Sequence, residues 1–242
     1  TPSVGGGAPT LKPLKLGESS EPSWRTVATP PLELPESSVI TVKVVVDDDE
    51  VRQRRVWEPV IRERIDKVSA ALEAHCDMKL RVVAIEEWDS DDNQRDFFQT
   101  LGEFEREVLP APADVAIAFS SQYDIATGRV HLGGTRQPLH SHILLKERSR
   151  NVLEPERTEL LAHELGHYLG AAHSPEPKSV MRPVIGQGVQ RVAGATLRYD
   201  APNTLLMSLL AEELRQRRIK DIGALTPETR RRMQEIYAAV HP

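Results

Sequence analysis

The chain predicts an α/β domain in which helices pack against a mixed, mostly parallel, twisted sheet. Three observations carry this. β-branched runs alternate with stretches of helical period in the order strand, helix, strand, helix, strand, which implies right-handed crossovers between parallel strands. A glycine-bearing run, residues 128–135, then precedes one further strand-like segment, the pattern of a sheet edge whose backbone something approaches closely. Behind it comes a helix whose inner face carries histidines as well as leucines.

Composition sets the bounds. The 242 residues, 39% hydrophobic and 28% charged, suit a soluble globular chain with one domain of about 200 residues or two small ones. No run of 18 apolar residues is present, so no transmembrane helix is expected. The net charge of −5, with both signs interspersed, argues against nucleic acid or an anionic membrane as partner. A single cysteine, Cys76, excludes an internal disulfide framework.

Residues 1–37 read as a flexible tail. They are rich in small residues, Pro and Gly, with Trp24 as a candidate anchor, and they bury too little apolar area to offset the entropy of ordering. Residues 39–46 read as a buried strand. The acids Asp47, Asp48 and Asp49 that follow are expected at the start of a helix over about 50–75, facing its dipole. Val56, Trp57, Val60, Ile61, Ile65, Val68 and Leu72 mark that helix's core side. Cys76 ends it and is expected as a small buried hydrophobe. Residues 79–85 are the second strand, closed by Trp88 and by Asp89, Ser90, Asp91 and Asp92. This acidic run could hold Ca²⁺ but lacks the glycine and distal glutamate of an EF-hand loop, so a solvated turn is the expectation. A helix over 97–108 and a strand over 113–119 follow, then the glycine-bearing edge and a strand at 142–145. His131, His140 and His142 lack carboxylates at ligand spacing and are expected as loop or strand histidines rather than a second metal site.

Pro155 opens the next helix, with Leu160, Leu161, Leu165, Tyr168 and Leu169 toward the core. Asn203 is expected to cap a helix bearing Leu205, Leu206, Leu209, Leu210 and Leu214. Thr226 and Pro227 start the last helix, which buries Met233, Ile236, Tyr237 and Val240.

The chemistry sits in residues 163–173, which read H-E-x-x-H-x-x-G-x-x-H. His163 and His167 are four apart, so on a helix they share one face about 6 Å apart along the axis. Two imidazoles so placed can grip one Zn²⁺. Glu164 can reach a metal-bound water without being a ligand. His173 would lie about 15 Å further along a continued helix. The helix must therefore end, and Gly170 is the residue type that lets the chain turn back. Three protein nitrogens and one open position make a catalytic rather than a structural layout. The three histidines and the glycine should arise by chance in roughly 5 of 10,000 chains of this composition, so an incidental core helix is the weaker reading.

The segment is similar to the zinc helix of the metzincin clan of metalloproteases. Ser179-Val180-Met181-Arg182-Pro183 resembles the clan's methionine turn. Within the clan, Ser174, Pro183 and the spacing from His173 to Met181 are most similar to matrixins, with Arg182 departing from their usual tyrosine. The sheet edge resembles that of reprolysins and matrixins, and residues 225–237 the final matrixin helix; residues 187–224 are longer than matrixins need. The resemblance implies one metzincin-like catalytic domain over residues 38–242, a sheet half above and a helical half below a zinc cleft. It implies an endopeptidase with His163, His167 and His173 on one catalytic Zn²⁺ and Glu164 as general base. Met181 would form an apolar floor, and Gly133, Gly134, Thr135 and Pro183 would line a polypeptide substrate. With no cysteine in the tail, a thiolate latch is excluded. A monomer, secreted or extracytoplasmic, is expected. Two other readings stay open: a zinc hydrolase of non-protein amides, and a non-catalytic zinc-stiffened binding module, against which the intact Glu164 counts.

Overall fold

The structure is a computed structural model and describes residues 35–50, 52–123, 132–147, 153–183 and 196–240. Residues 1–34 with Trp24, and residues 128–131 of the glycine-bearing run, lie outside the described residues.

Among the described residues, five strands form one sheet in the order β2-β1-β3-β5-β4. They are β1 (Val39–Asp47), β2 (Lys79–Trp88), β3 (Val115–Ser120), β4 (Gly133–Gly134) and β5 (His142–Lys146). The pairs β1–β2, β1–β3 and β3–β5 are parallel, and only β4 runs antiparallel, Gly133 opposite Leu145. The helices are α1 (Arg54–Cys76), α2 (Phe97–Glu107), α3 (Glu154–Tyr168), α4 (Ala201–Arg217) and α5 (Pro227–Val240). This is the mixed α/β architecture of the zincins.

Alternation along the strands explains the layering. Ile40, Val42, Val44 and Val46 point into the large core shared with α1, α3, α4 and α5, while Val45, Ala116, Ala118 and Leu144 face the smaller core under α2. A central sheet covered on both faces needs continuous apolar strands rather than a half-polar pattern, and β3 and β5 are buried at every residue.

An ion-pair network fixes where α3 begins. Arg64 on α1 is 2% exposed and pairs with Glu147 at 2.7 Å, just past β5, and with Glu154 at 2.8 Å, the first residue of α3. The Glu156 carboxylate accepts from Leu153 N at 2.6 Å, closing the helix start.

Three expectations are corrected. The acids after β1 do not open α1, which starts at Arg54 with no acidic residue in its first turn. Asp47 instead ends β1 and is buried, accepting from Ser90 Oγ at 2.8 Å and from Ser120 Oγ. Two hydroxyls at the strand ends satisfy it better than a distant helix dipole. Asn203 does not cap α4; Asp200 does, accepting from Asn203 N at 3.1 Å. Val56, read as core, is 49% exposed, because the buried stripe of α1 runs through Trp57, Ile61, Ile65, Val68 and Leu72. Cys76 is buried as expected, and burial pushes its thiol up to about 12.

Candidate active site

α3 presents His163 and His167 on one face, their Nε2 atoms 3.0 Å apart. His163 Nδ1 donates to Val180 O at 2.8 Å and His167 Nδ1 to Ala171 O at 2.9 Å. A carbonyl only accepts, so both rings carry their proton on Nδ1 and turn an Nε2 lone pair inward. Burial disfavours the imidazolium form of both and lowers His163 to about 3. Two lone pairs 3.0 Å apart repel unless a cation lies between them, so this donor set fits a metal ion.

His173 completes the group. α3 ends in a Schellman turn: Ala171 N donates to Gly166 O and Gly170 N to His167 O. Gly170 takes φ +85°, and a Cβ there would also fall 2.9 Å from Met233 Cε. The chain turns back, and the ligand atoms of His163, His167 and His173 all lie within 4.8 Å of one another. Among the described residues this is the one group of three or more His, Cys, Asp or Glu able to hold a metal. α5 braces the turn, with Tyr237 Oη donating to Gly170 O at 2.5 Å.

Buried polar bonds tie the His173 loop to the methionine turn and to α4. Ala172 N donates to Asn203 Oδ1 at 2.8 Å, Ser174 N to Met181 O at 2.8 Å, and Ser179 Oγ to Asp200 Oδ2 at 2.6 Å. Burial works against the Asp200 carboxylate, but bonds from Ser179, Asn203 and Ser174 hold it below its ordinary range. Met181 is fully buried, its sulfur against Gly166 of α3. Tyr199 Oη donates to Ala162 O at 2.6 Å, one residue before the first histidine.

Glu164 lies between α3 and the sheet edge, 5% exposed. Burial raises its carboxyl to about 8; a divalent cation at the adjacent imidazoles acts in the opposite direction. β4 lies over it. A Cβ on Gly133 would fall 2.8 Å from Leu145 Cδ2 and 3.2 Å from Glu164 Cγ, and one on Gly134 2.8 Å from Phe97 Cζ. The preceding carbonyl, Leu132 O, accepts from Tyr123 Oη at 3.0 Å and from Lys146 N at 2.7 Å.

The remaining sequence candidates divide. Gly133 and Gly134 form the terminal strand beside Glu164. Thr135 Oγ1 donates to His142 O at 3.0 Å, so its hydroxyl is committed within the sheet. Pro183 is exposed at the exit of the methionine turn, and Arg182 is drawn back to Glu159 on α3 at 2.6 Å. His140 meets Glu105 at 2.8 Å and His142 Nε2 donates to Val108 O at 2.8 Å, while His131 lies outside the described residues. Of the acidic run, Asp91 accepts from Asn93 N at 2.9 Å, as in a simple turn. Sequence reasoning missed Asp200, Tyr199 and Tyr123. The available signal was a polar group beside apolar neighbours, with nothing to name its partner.

Three convergent histidines on a helix and its turned-back exit, a buried glutamate beside the first and a methionine below them define a metzincin-type zinc peptidase. The chain belongs to metallo-peptidase family M12, whose family model matches residues 36–211. An archaemetzincin from Methanopyrus kandleri shares the fold with a TM-score of 0.55 at 16% identity, over 74% of this chain and 99% of that one. A chain from a chaperone-substrate complex aligns with a TM-score of 0.51 at 12% identity, over 74% of this chain and 35% of that one. No curated protein matches in sequence. The finer likeness to matrixins finds no support here, since the family match is of reprolysin type and the archaemetzincin gives the fold.

Proposed function

We propose that the chain is a zinc-dependent endopeptidase that cleaves a polypeptide laid along β4, with Glu164 as general base and then general acid. The observation that supports this most is the pair of inward lone pairs 3.0 Å apart on His163 and His167, with His173 beside them. When bound there, zinc supplies a Lewis acid and a water made nucleophilic near neutral pH.

The chain's own groups do the rest. The Glu164 carboxylate takes a proton from the attacking water and passes it to the departing amide nitrogen. Its position beneath Gly133 places that exchange next to the strand the substrate would join. Among the described strands β4 lies at the edge of the sheet, so its outer main-chain groups can pair with an added antiparallel strand. Two glycines leave that edge without side chains, and the exposed Pro183 forms the facing rim.

Fragment masses from a peptide library, with and without a chelator, test the reading. Chelator-sensitive cleavage at internal bonds is expected. Retained zinc with no cleavage, or release of terminal residues only, would overturn the endopeptidase assignment.

A further inference from the structure

The parallel strands β1, β3 and β5 all begin on one side of the sheet, and a cavity of about 400 Å³ opens there. Its lining includes none of His163, Glu164, His167, His173 and Met181. Ile40, Met78 and Leu139 supply apolar walls. Tyr168, the last residue of α3, also lines it. The side chain is 4% exposed, and its hydroxyl has no hydrogen-bond partner among the described residues. That oxygen is not among the sealed, unpartnered atoms, so it opens onto the cavity. A hydroxyl buried this deeply is normally bonded.

The charged groups sort in the same direction. Lys220 Nζ meets Asp114 Oδ1 at 2.8 Å, and the other Asp114 oxygen accepts from Thr41 N at 2.9 Å, so that pair is internally satisfied. Arg218 remains: it is exposed and acts at longer range on the Glu36 carboxylate that Arg81 holds, and its guanidinium makes no hydrogen bond or ion pair among the described residues. The side-chain groups left without a partner among the described residues at the cavity include the Arg218 guanidinium and the hydroxyls of Tyr168 and Ser37, all able to donate. Two of the cavity residues have positive φ: Leu139 at 59°, and Arg218 at 51° as the left-handed residue that ends α4.

We propose that this cavity binds an amphipathic monocarboxylate, with its apolar body against Ile40, Met78 and Leu139 and its carboxylate between Arg218 and Tyr168. A guanidinium grips a carboxylate through two parallel N–H donors, and the volume lies in the small-ligand range. A fatty acid and the C-terminus of an apolar peptide fragment present the same chemistry.

Calorimetric titration of the full chain with octanoate, N-acetyl-leucyl-leucine, octanol and octylamine tests this. At least one carboxylate should bind one per chain, with octanol and octylamine about tenfold weaker or worse; the tighter carboxylate identifies the source. Arg218→Ala should weaken it by about tenfold and Tyr168→Phe by a few-fold, each with an unchanged melting temperature. Binding should survive a chelator, which separates this site from the metal centre and makes its failure distinct from that of the peptidase reading. Failure of both carboxylates to bind, equal affinity for octanol, indifference to Arg218→Ala, or loss of binding on chelation would each overturn the proposal.

Discussion

The two walls of the cleft are held in different ways. Below it, the His173 loop and the methionine turn are bound side chain to main chain, through Asp200, Asn203, Ser174 and Ser179, all at most 5% exposed. Above it, β4 is two residues long and is held by its pairing with β5, by the Leu132 carbonyl, and by having no side chains to keep it off Glu164 and Phe97. The difference follows from the tasks proposed for them. A metal site tolerates only small ligand displacements, so outer residues must fix each ring. An edge that accepts a strand must leave main-chain groups unpaired and cannot be clamped from outside.

The largest expected effect lies where the walls meet. Glu164→Gln keeps the packing under Gly133 but removes the proposed base, so kcat should fall about 10²–10⁴-fold. Zinc content by elemental analysis and the melting temperature should stay put; near-normal cleavage would send the base assignment elsewhere. Next comes the lower wall. Asp200→Ala leaves Ser179 and Asn203 without their acceptor and α4 without its cap, a loss of about 1–3 kcal/mol. Denaturant unfolding reads that loss, and competition with a chelator should show zinc affinity down about 10–100-fold.

The upper wall should fail more gently and without losing metal. Gly133→Val pushes branched carbon into Leu145 and Glu164, an overpacking worth about 1–3 kcal/mol. Peptide turnover should drop about tenfold while zinc stays bound; equal losses of both would mean the walls are not independent. The smallest effect is in pH. Burial raises Asp47, on the sheet side, to about 6 from its ordinary 3.8, although Ser120 and Ser90 pull the other way. The folded chain thus binds this proton more tightly than the unfolded one, so this contribution grows as pH falls from about 6 toward 3.8 and fades as pH rises. Asp200, shifted down, contributes above its unfolded value of 3.8 and loses that as pH falls further. Melting curves from pH 3 to 8 should therefore lose their acid-side gain in Asp47→Asn and their acid-side loss in Asp200→Asn.

What the sequence disclosed follows the same division. The three-histidine group was legible because its spacing is local: a four-residue step on the helix, then a glycine where φ must be positive. The parallel core strands were legible because full burial leaves unbroken apolar runs. Asp200 was not, since its partner Ser179 lies 21 residues away and no periodicity connects them. Asn203, three residues on, drew the role of cap because either residue type can fill it. Asp47 misled for a related reason: an acid after a strand suits both a helix start and a buried pair of hydroxyls, and only the fold brings Ser90 and Ser120 to it.

The helix α5 follows residues 36–211, the span of the family match, yet it touches the turn that delivers the third histidine through Met233 and Tyr237. A ribosome makes those residues well after the histidines themselves. While they are still in the exit tunnel, the bend carrying His173 lacks its brace. The place of the third histidine beside the other two is thereby secured only once α5 has been made and has packed on the turn.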